Sequence, residues 1–215
     1  MKNLLIIGAG GFGREVAWLV DRINAKNPQW NLLGFIDDNP DMQGAELNGY
    51  KVVGTSGDID KFPDAYLVCA VGSSKVRKKI VEGIKSRNPD RKFAILIDPS
   101  VEMSDYVEIG DGTIICAHTI ITVNIKIGEN VIMNLNCTVG HDAVIGDYVT
   151  LYPDANVSGI TVVGDCTELG TGMQVIQGKT IGSETIVGAG AVVIRDIPDK
   201  CTAVGNPAKP IKFFD

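Results

Sequence analysis

A small parallel α/β domain followed by a parallel β-helix is the fold this sequence predicts, and three observations predict it. From Ile109 to Val193 every sixth residue is aliphatic or Met, fifteen positions without a slip: Ile109, Ile115, Ile121, Ile127, Met133, Val139 and onward. No ordinary helix or strand needs a period of six, so the chain must return to one face of a coil at that interval. The residue two before each of these is nearly always small or β-branched, as at Thr113, Thr119, Val131, Cys137, Ala143 and Ala155. Residues two apart on a strand share a face, so both series line the interior of the coil. Ahead of the repeats, apolar strand-like runs alternate with helical spacing, the pattern of a parallel α/β sheet.

The elements follow in order. Leu4 to Ile7 reads as a strand, Gly13 to Asn24 as a helix and Leu32 to Ile36 as a second strand. Between the first two, Gly8-Ala9-Gly10-Gly11-Phe12-Gly13 satisfies GxGxxG in the strand-to-helix context that gives the motif meaning. Such a turn brings backbone N–H groups and a helix N-terminus up to a phosphate, so Gly10, Gly11, Phe12 and Gly13 are candidate substrate contacts. Asp37 and Asp38, at the end of the next strand, are placed to accept hydrogen bonds from a ribose or a base. A strand from Tyr66 to Val71 leads through Gly72 into a helix opened by Ser73, with Val76, Ile80 and Ile84 at helical spacing. A last strand, Phe93 to Ile97, stops at Asp98-Pro99, the expected boundary between a Rossmann-like domain (1–98) and the β-helix (99–215). The first region is long enough for one mononucleotide-binding half and short for two, which argues against a nicotinamide dinucleotide.

Within the repeats each hexad reads as one short strand plus a corner. Gly often follows the aliphatic residue, as at Gly110, Gly128, Gly140 and Gly146, where it would tolerate a sharp or left-handed backbone. Met173 and Lys179 break the small-residue rule and predict a local distortion or a side chain reaching outward.

Composition narrows the function classes. With 45% hydrophobic and 21% charged residues, the 215-residue chain is that of a soluble globular protein. A formal charge of −6 argues against nucleic acid or an anionic membrane surface as partner. The apolar run from Leu4 to Ile7 is too short for a signal-peptide core or a membrane span, so a cytoplasmic protein is expected. Five cysteines with no CxxC pair indicate neither a disulfide framework nor a zinc site, and no metal is expected.

The hexad pattern resembles the hexapeptide-repeat acyltransferases, and Val204-Gly205-Asn206-Pro207-Ala208-Lys209 is similar to the segment that follows their last coil. The resemblance implies a left-handed, three-sided coil with three hexads per turn, so that Ile109 stacks on Ile127, Ile145, Val163 and Ile181 in close to five coils. A GxGxxG domain ahead of the repeats is similar to the bacterial enzymes that N-acetylate nucleotide-linked 4-amino sugars, and to their sialic acid O-acetyltransferase relatives. In the former the N-terminal domain holds the nucleotide-sugar and the β-helix holds acetyl-CoA, in a groove between the subunits of a homotrimer. The Gly72 to Lys79 segment shares this likeness, which implies that Gly72 lies near the nucleotide-sugar. Phe12 stands where the amino-sugar enzymes often carry His.

The same resemblance assigns the chemistry. Asn134 to Asp142 matches the family's segment in which an Asn precedes a His-acidic pair, implying His141 as general base and Asn134 as a contact to acetyl-CoA; Gly159, Thr171 and Ala189 match its main-chain contacts to the cofactor. An imidazole titrates near neutrality and suits removal of a proton from an attacking amine or hydroxyl. Asp142 would orient the ring, through a corner geometry that Gly140 is expected to permit. His118 matches no such role and reads as structural or solvent-facing. The competing readings are O-acetylation of a sialic acid or another sugar, a zinc β-helix of the carbonic anhydrase kind, a non-catalytic scaffold, and a nicotinamide oxidoreductase.

Overall fold

The computed structural model describes residues 1–214. The first sheet forms from β1 (Lys2–Ile7), β2 (Trp30–Ile36), β3 (Glu46–Leu47), β4 (Tyr50–Gly54) and β5 (Tyr66–Cys69), in the order β3-β4-β2-β1-β5. All pairs are parallel except the β3/β4 hairpin. Helices α1 (Gly11–Lys26) and α2 (Ser74–Arg87) cover its two faces. Val16, Leu19, Val20 and Ile23 of α1 pack with Leu4, Ile6 and Phe35, and Val81 and Ile84 of α2 pack with Leu5, Ile7 and Leu67 on the other side. The chain steps outward from β1 through β2 to β4, then returns to place β5 on the other flank of β1. A crevice therefore opens at the carboxyl ends of β1 and β5, where ligands of such sheets bind.

The second half is a left-handed parallel β-helix whose three faces repeat every eighteen residues. The first face carries Leu96–Ile97, Ile114–Ile115, Ile132–Met133, Thr150–Leu151, Glu168–Leu169 and Ile186–Val187. The second includes Ile120–Ile121, Thr138–Val139, Asn156–Val157 and Gln174–Val175, and the third Ile125–Ile127, Val144–Ile145, Val162–Val163 and Thr180–Ile181. Ile109 pairs with Ile127, Ile127 with Ile145, Ile145 with Val163 and Val163 with Ile181, the register that the sequence predicts. Both inward series are buried in one core. Met173 is fully buried there as well: Ala155 and Ala191, one coil before and one after, leave it room, so the predicted outward excursion does not occur at this position.

The corners differ from expectation in an instructive way. The left-handed residue is not the glycine after the aliphatic position but the residue two further on: His118, Asn124, Asn130, Asn136, Asp142, Tyr148, Asp154, Ile160, Cys166 and Glu184 have φ between 53° and 61°. Asn and Asp tolerate this region best among side-chain-bearing residues, and here Asn124 and Asn136 donate their amides to the carboxylates of Asp142 and Asp154 one coil later, at 3.1 and 2.5 Å. The glycines serve close stacking. A Cβ at Gly110, Gly140 or Gly170 would lie 2.5 to 2.6 Å from backbone of the next coil.

The β-helix also begins earlier than Pro99. Leu96–Ile97 already pairs with Ile114–Ile115, whereas Phe93 bridges Leu67 of β5, so the chain changes sheets between Ala94 and Leu96. The α1 core continues without interruption onto Leu96, Ile114, Cys116 and Ile132. Asp98, 2% exposed, accepts two hydrogen bonds from Arg22 of α1 at 2.6 and 2.9 Å and fastens helix to coil. Burial alone would raise this carboxyl, but Arg22 and the hydroxyl and N–H of Ser100 outweigh it and hold it down to about 2. A depressed carboxyl contributes stability above its unfolded value and loses it as pH falls through the folded one. We therefore expect Asp98→Asn to flatten the acid limb of stability between pH ~4 and ~2, and to cost on the order of 1 to 2 kcal/mol at neutral pH, read by urea unfolding across pH.

Candidate active site

The glycine turn and the β-strand ends build the first half of the site. β1 ends at Ile7, Gly8 turns with φ +98°, and α1 starts at Gly11, two residues before the sequence expectation, with Gly10 as its N-cap. Gly13 therefore lies in the first helical turn, where a Cβ would sit 2.0 Å from the Gly8 carbonyl oxygen; its place is close helix-to-strand packing. Gly10 and Gly11 present open backbone, since a Cβ on either would meet nothing within 4 Å. Phe12 turns its half-buried ring against the α1 core. A cavity of about 190 Å³ opens beside this turn, lined by Gly8, Asp37, Asp38, Ser56, Val71 and Ile80 among others.

Asp37 and Asp38 spend part of their hydrogen-bonding capacity within the protein. Asp37 accepts from the N–H of Ala9 at 2.8 Å and of Asn39 at 2.9 Å, which clamps the glycine turn, and Asp38 accepts from the N–H of Ser56 at 2.7 Å. A carboxylate has about four acceptor sites, so each retains capacity toward a ligand hydroxyl or amide. The two helix N-termini are treated differently. No side chain caps α1 and no acidic residue lies in its first turn. At α2, Glu168 of the β-helix accepts from both the N–H and the hydroxyl of Ser74, each at 2.9 Å, and so occupies the anion position itself. Of the two, α1 is the one left open to a phosphate.

Sequence reasoning passed over three residues at this junction: Glu168, Thr150 and Arg77. The apolar stripe of α2 is shifted by one position from Val76, which is 49% exposed, to Ser74, Arg77, Val81 and Ile84. Arg77 is fully buried, and its guanidinium donates to the carbonyls of Val71, Gly72, Asn130 and Tyr148 and to the Thr150 hydroxyl at 2.6 to 3.0 Å. Burial lowers its pKa to about 10, which leaves it charged at neutral pH. The 3,4,3 spacing of Ser74, Arg77, Val81 and Ile84 is the signal that a helical-face count would have found.

The second half of the site lies on the edge between the second and third faces. His141 Nδ1 is 2.8 Å from Asp142 Oδ2, and both side chains are about half exposed. Two adjacent side chains meet because Asp142 itself is left-handed, at φ 59°; Gly140 is needed because a Cβ there would lie 2.5 Å from the Gly159 backbone nitrogen, not for a positive φ. The bond from His141, then that from Asn124, holds the Asp142 carboxyl below the usual range. Gly159, one coil later, lies directly against the imidazole: a Cβ there would be 2.6 Å from His141 Nε2. Asn134, Thr171 and Ala189 instead line the neighbouring edge, between the first and second faces, and the Asn134 side-chain oxygen accepts from the N–H of Leu135 at 2.8 Å. His118 is exposed at a corner and its N–H donates to the Ser100 hydroxyl at 3.0 Å. Burial pushes the Cys116 and Cys137 thiols up to about 12, which unfits them as nucleophiles at neutral pH. Among the described residues no helix is long and apolar enough to cross a membrane.

The arrangement has close counterparts among known proteins. Residues 3–84 match the family described as the PglD N-terminal domain. The chain is 38% identical over 121 residues to UDP-N-acetylbacillosamine N-acetyltransferase of Bacillus subtilis (strain 168), an alignment that spans 54% of the chain and only about half (52%) of that relative. Whole-chain similarity comes from solved structures. The acetyltransferase domain of PglB from Neisseria gonorrhoeae FA1090, in complex with acetyl coenzyme A, superposes with a TM-score of 0.89 at 34% identity, covering 98% of this chain and 99% of that one. PerB from Caulobacter crescentus, in complex with CoA and GDP-perosamine, does so with a TM-score of 0.86 at 32% identity, covering 99% and 98%.

Proposed function

This chain belongs to the family of hexapeptide-repeat sugar N-acetyltransferases, and from that premise we propose that it transfers the acetyl group of acetyl-CoA to the amine of a nucleotide-linked 4-amino sugar, with His141 as general base. The observation that carries the reading is the geometry of His141: Nδ1 is engaged by Asp142, so that it bears the proton, and the Nε2 lone pair is left at the outer edge of the coil beside a glycine backbone. The Bacillus subtilis relative is an N-acetyltransferase and so is the perosamine enzyme of Caulobacter crescentus, which supports an amine over a sugar hydroxyl as acceptor.

In this reading the α/β part, residues 1–98 in the sequence division, holds the nucleotide-sugar. Its diphosphate lies at the open N-terminus of α1, against Gly10, Gly11 and the N–H groups of the Phe12 to Gly13 turn; Asp37 and Asp38 face the ribose or base across the cavity, and Gly72 borders it. Acetyl-CoA lies along the β-helix, 99–215, with Gly159, Thr171 and Ala189 offering close backbone approach and Asn134 a polar contact. Nε2 of His141 takes a proton from the sugar ammonium or from the amine as it attacks the thioester carbonyl. The tetrahedral oxyanion collapses, the C–S bond breaks and CoA leaves as the thiolate. The acetyl group passes directly to nitrogen without a cysteine intermediate.

A homotrimer completes the site. His141 and Gly159 lie on one edge and Asn134, Thr171 and Ala189 on the next, a whole face apart, so a single chain does not gather them; a groove between two parallel copies would. The flank of the His141 edge supports an interface: Ile160, a β-branched residue at φ 59°, is 50% exposed, and Val144 and Val162 are also exposed. A cytoplasmic location belongs to the same reading, since both substrates are charged nucleotide derivatives. The test is release of CoA thiol with a panel of UDP-, GDP- and dTDP-linked 4-amino sugars, with product mass and light scattering on the same sample. We expect an amide product with one of the panel and a particle of three chains; transfer only to free or CMP-linked sugars, or none, refutes the assignment.

A further inference from the structure

The wall of the nucleotide cavity formed by the β5–α2 loop and α2 does not belong to the α/β sheet alone. Val71 and Ile80 line the cavity, and both lie on a segment bolted to the β-helix. Arg77 donates to the Val71 carbonyl at 2.6 Å and to that of Gly72 at 3.0 Å, while other N–H groups of the same guanidinium reach Asn130 and Tyr148 on the β-helix corner at 2.9 and 2.7 Å. Thr150, on the first face, accepts from Arg77 at 2.9 Å and donates to the Gly72 carbonyl at 2.8 Å. Glu168 holds the start of α2, and Tyr152 donates to Glu168 at 3.2 Å.

Among the described residues no carboxylate neutralises Arg77 within hydrogen-bond distance; its partners are carbonyls and one hydroxyl drawn from both domains. A buried charge is costly, and here that cost is offset by hydrogen bonds to carbonyls that an apolar residue would leave without this donor. The fork shape of guanidinium is what an ammonium or an apolar chain cannot reproduce: it bonds the two loop carbonyls with one nitrogen and the β-helix groups Asn130, Tyr148 and Thr150 with the other two, fixing their separation.

We propose that Arg77, together with Thr150, is a positioning element that sets the nucleotide cavity in register with the acetyl-bearing edge of the β-helix. It touches no substrate; it acts through Val71 and Gly72, whose carbonyls it holds. Loosening it changes where the nucleotide-sugar sits and leaves the acetyl-CoA groove, on the other two edges, unaltered. The inference rests on the acetyltransferase reading, and its test separates the two.

Thr150→Val is the mild probe, since it removes one hydroxyl at constant shape, and Arg77→Lys keeps the charge but not the fork. Steady-state constants are measured with the nucleotide-linked amino sugar that the wild type turns over, and thermal unfolding is followed in parallel. Both variants should raise KM for the nucleotide-sugar, by about tenfold for Thr150→Val and more for Arg77→Lys, with KM for acetyl-CoA within about twofold. Lower thermal stability with both KM values unchanged in Thr150→Val would reduce the network to a structural staple and overturn the proposal. If the wild type acetylates no member of the panel, the functional reading falls, and binding of UDP and GDP by calorimetry decides the inference alone. Weaker binding of either in Thr150→Val upholds it, and equal or absent binding in both proteins overturns it.

Discussion

Replacing His141 with Ala lowers kcat for acetyl transfer by about 10²- to 10⁴-fold and leaves thermal unfolding nearly unchanged. The first half of this expectation follows from the role proposed for Nε2, which is left outward at this edge while the other ring nitrogen is engaged by Asp142. The second half follows from exposure: the side chain is 49% exposed and contributes little packing, so its removal opens no core cavity. Asp142 refines the experiment. Its carboxyl is held below the usual range, first by the bond to His141 and then by that from Asn124, which favours the charged acceptor for Nδ1. Asp142→Asn should retain an acceptor for Nδ1 while losing the charge that stabilises the imidazolium, and so should cost less than His141→Ala. Initial rates of thiol release at saturating acetyl-CoA across pH measure all three proteins. Turnover of His141→Ala equal to the wild type would remove His141 from the mechanism.

The second large effect is expected from a single added methyl group. Gly159→Ala places a Cβ 2.6 Å from Nε2 and 2.8 Å from two ring carbons of His141, well inside contact distance. The backbone on both sides belongs to tightly stacked coils, whereas the imidazole is half exposed and free to swing, so the ring moves. A displacement of about 1 Å at a reacting centre costs on the order of 10²-fold in rate. Because Gly159 is also proposed to lie against acetyl-CoA, the variant should raise KM for acetyl-CoA as well as lower kcat, while the nucleotide-sugar KM stays put. That pattern is the mirror image of the one expected for Thr150→Val. An Ala variant with wild-type kcat would mean that the imidazole does not work from this position.

Much of this molecule is legible in one dimension because its core is periodic. The hexad series at Ile109, Ile127, Ile145, Val163 and Ile181 needs no long-range information: each residue buries itself against its own copy one coil away, so period and register are the same statement. The glycine turn was legible for a similar reason, as Gly8 requires a conformation that few other residues accept. The β3/β4 hairpin was present as an Asn48-Gly49 turn signal, with both residues at positive φ, but the flanking strands are too short and polar for periodicity to reveal them. The corners misled because two different demands on glycine, a left-handed backbone and close stacking, look alike in sequence; only the φ values and the 2.5 Å that would separate a Cβ on Gly140 from the Gly159 backbone tell them apart.

The sequence by itself determined the coil, its register, the strand-to-helix glycine turn and the imidazole-carboxylate pair, because each depends on residues near in the chain or repeated along it. Tertiary structure alone decided that Arg77 is buried between the two domains, that Glu168 closes the N-terminus of α2 while that of α1 stays open, that Gly159 faces His141, and that Asn134 lies an edge away from His141. These are contacts between residues that sequence separation does not relate, and their geometry arises only when the sheet, its two helices and the coil pack against a common core.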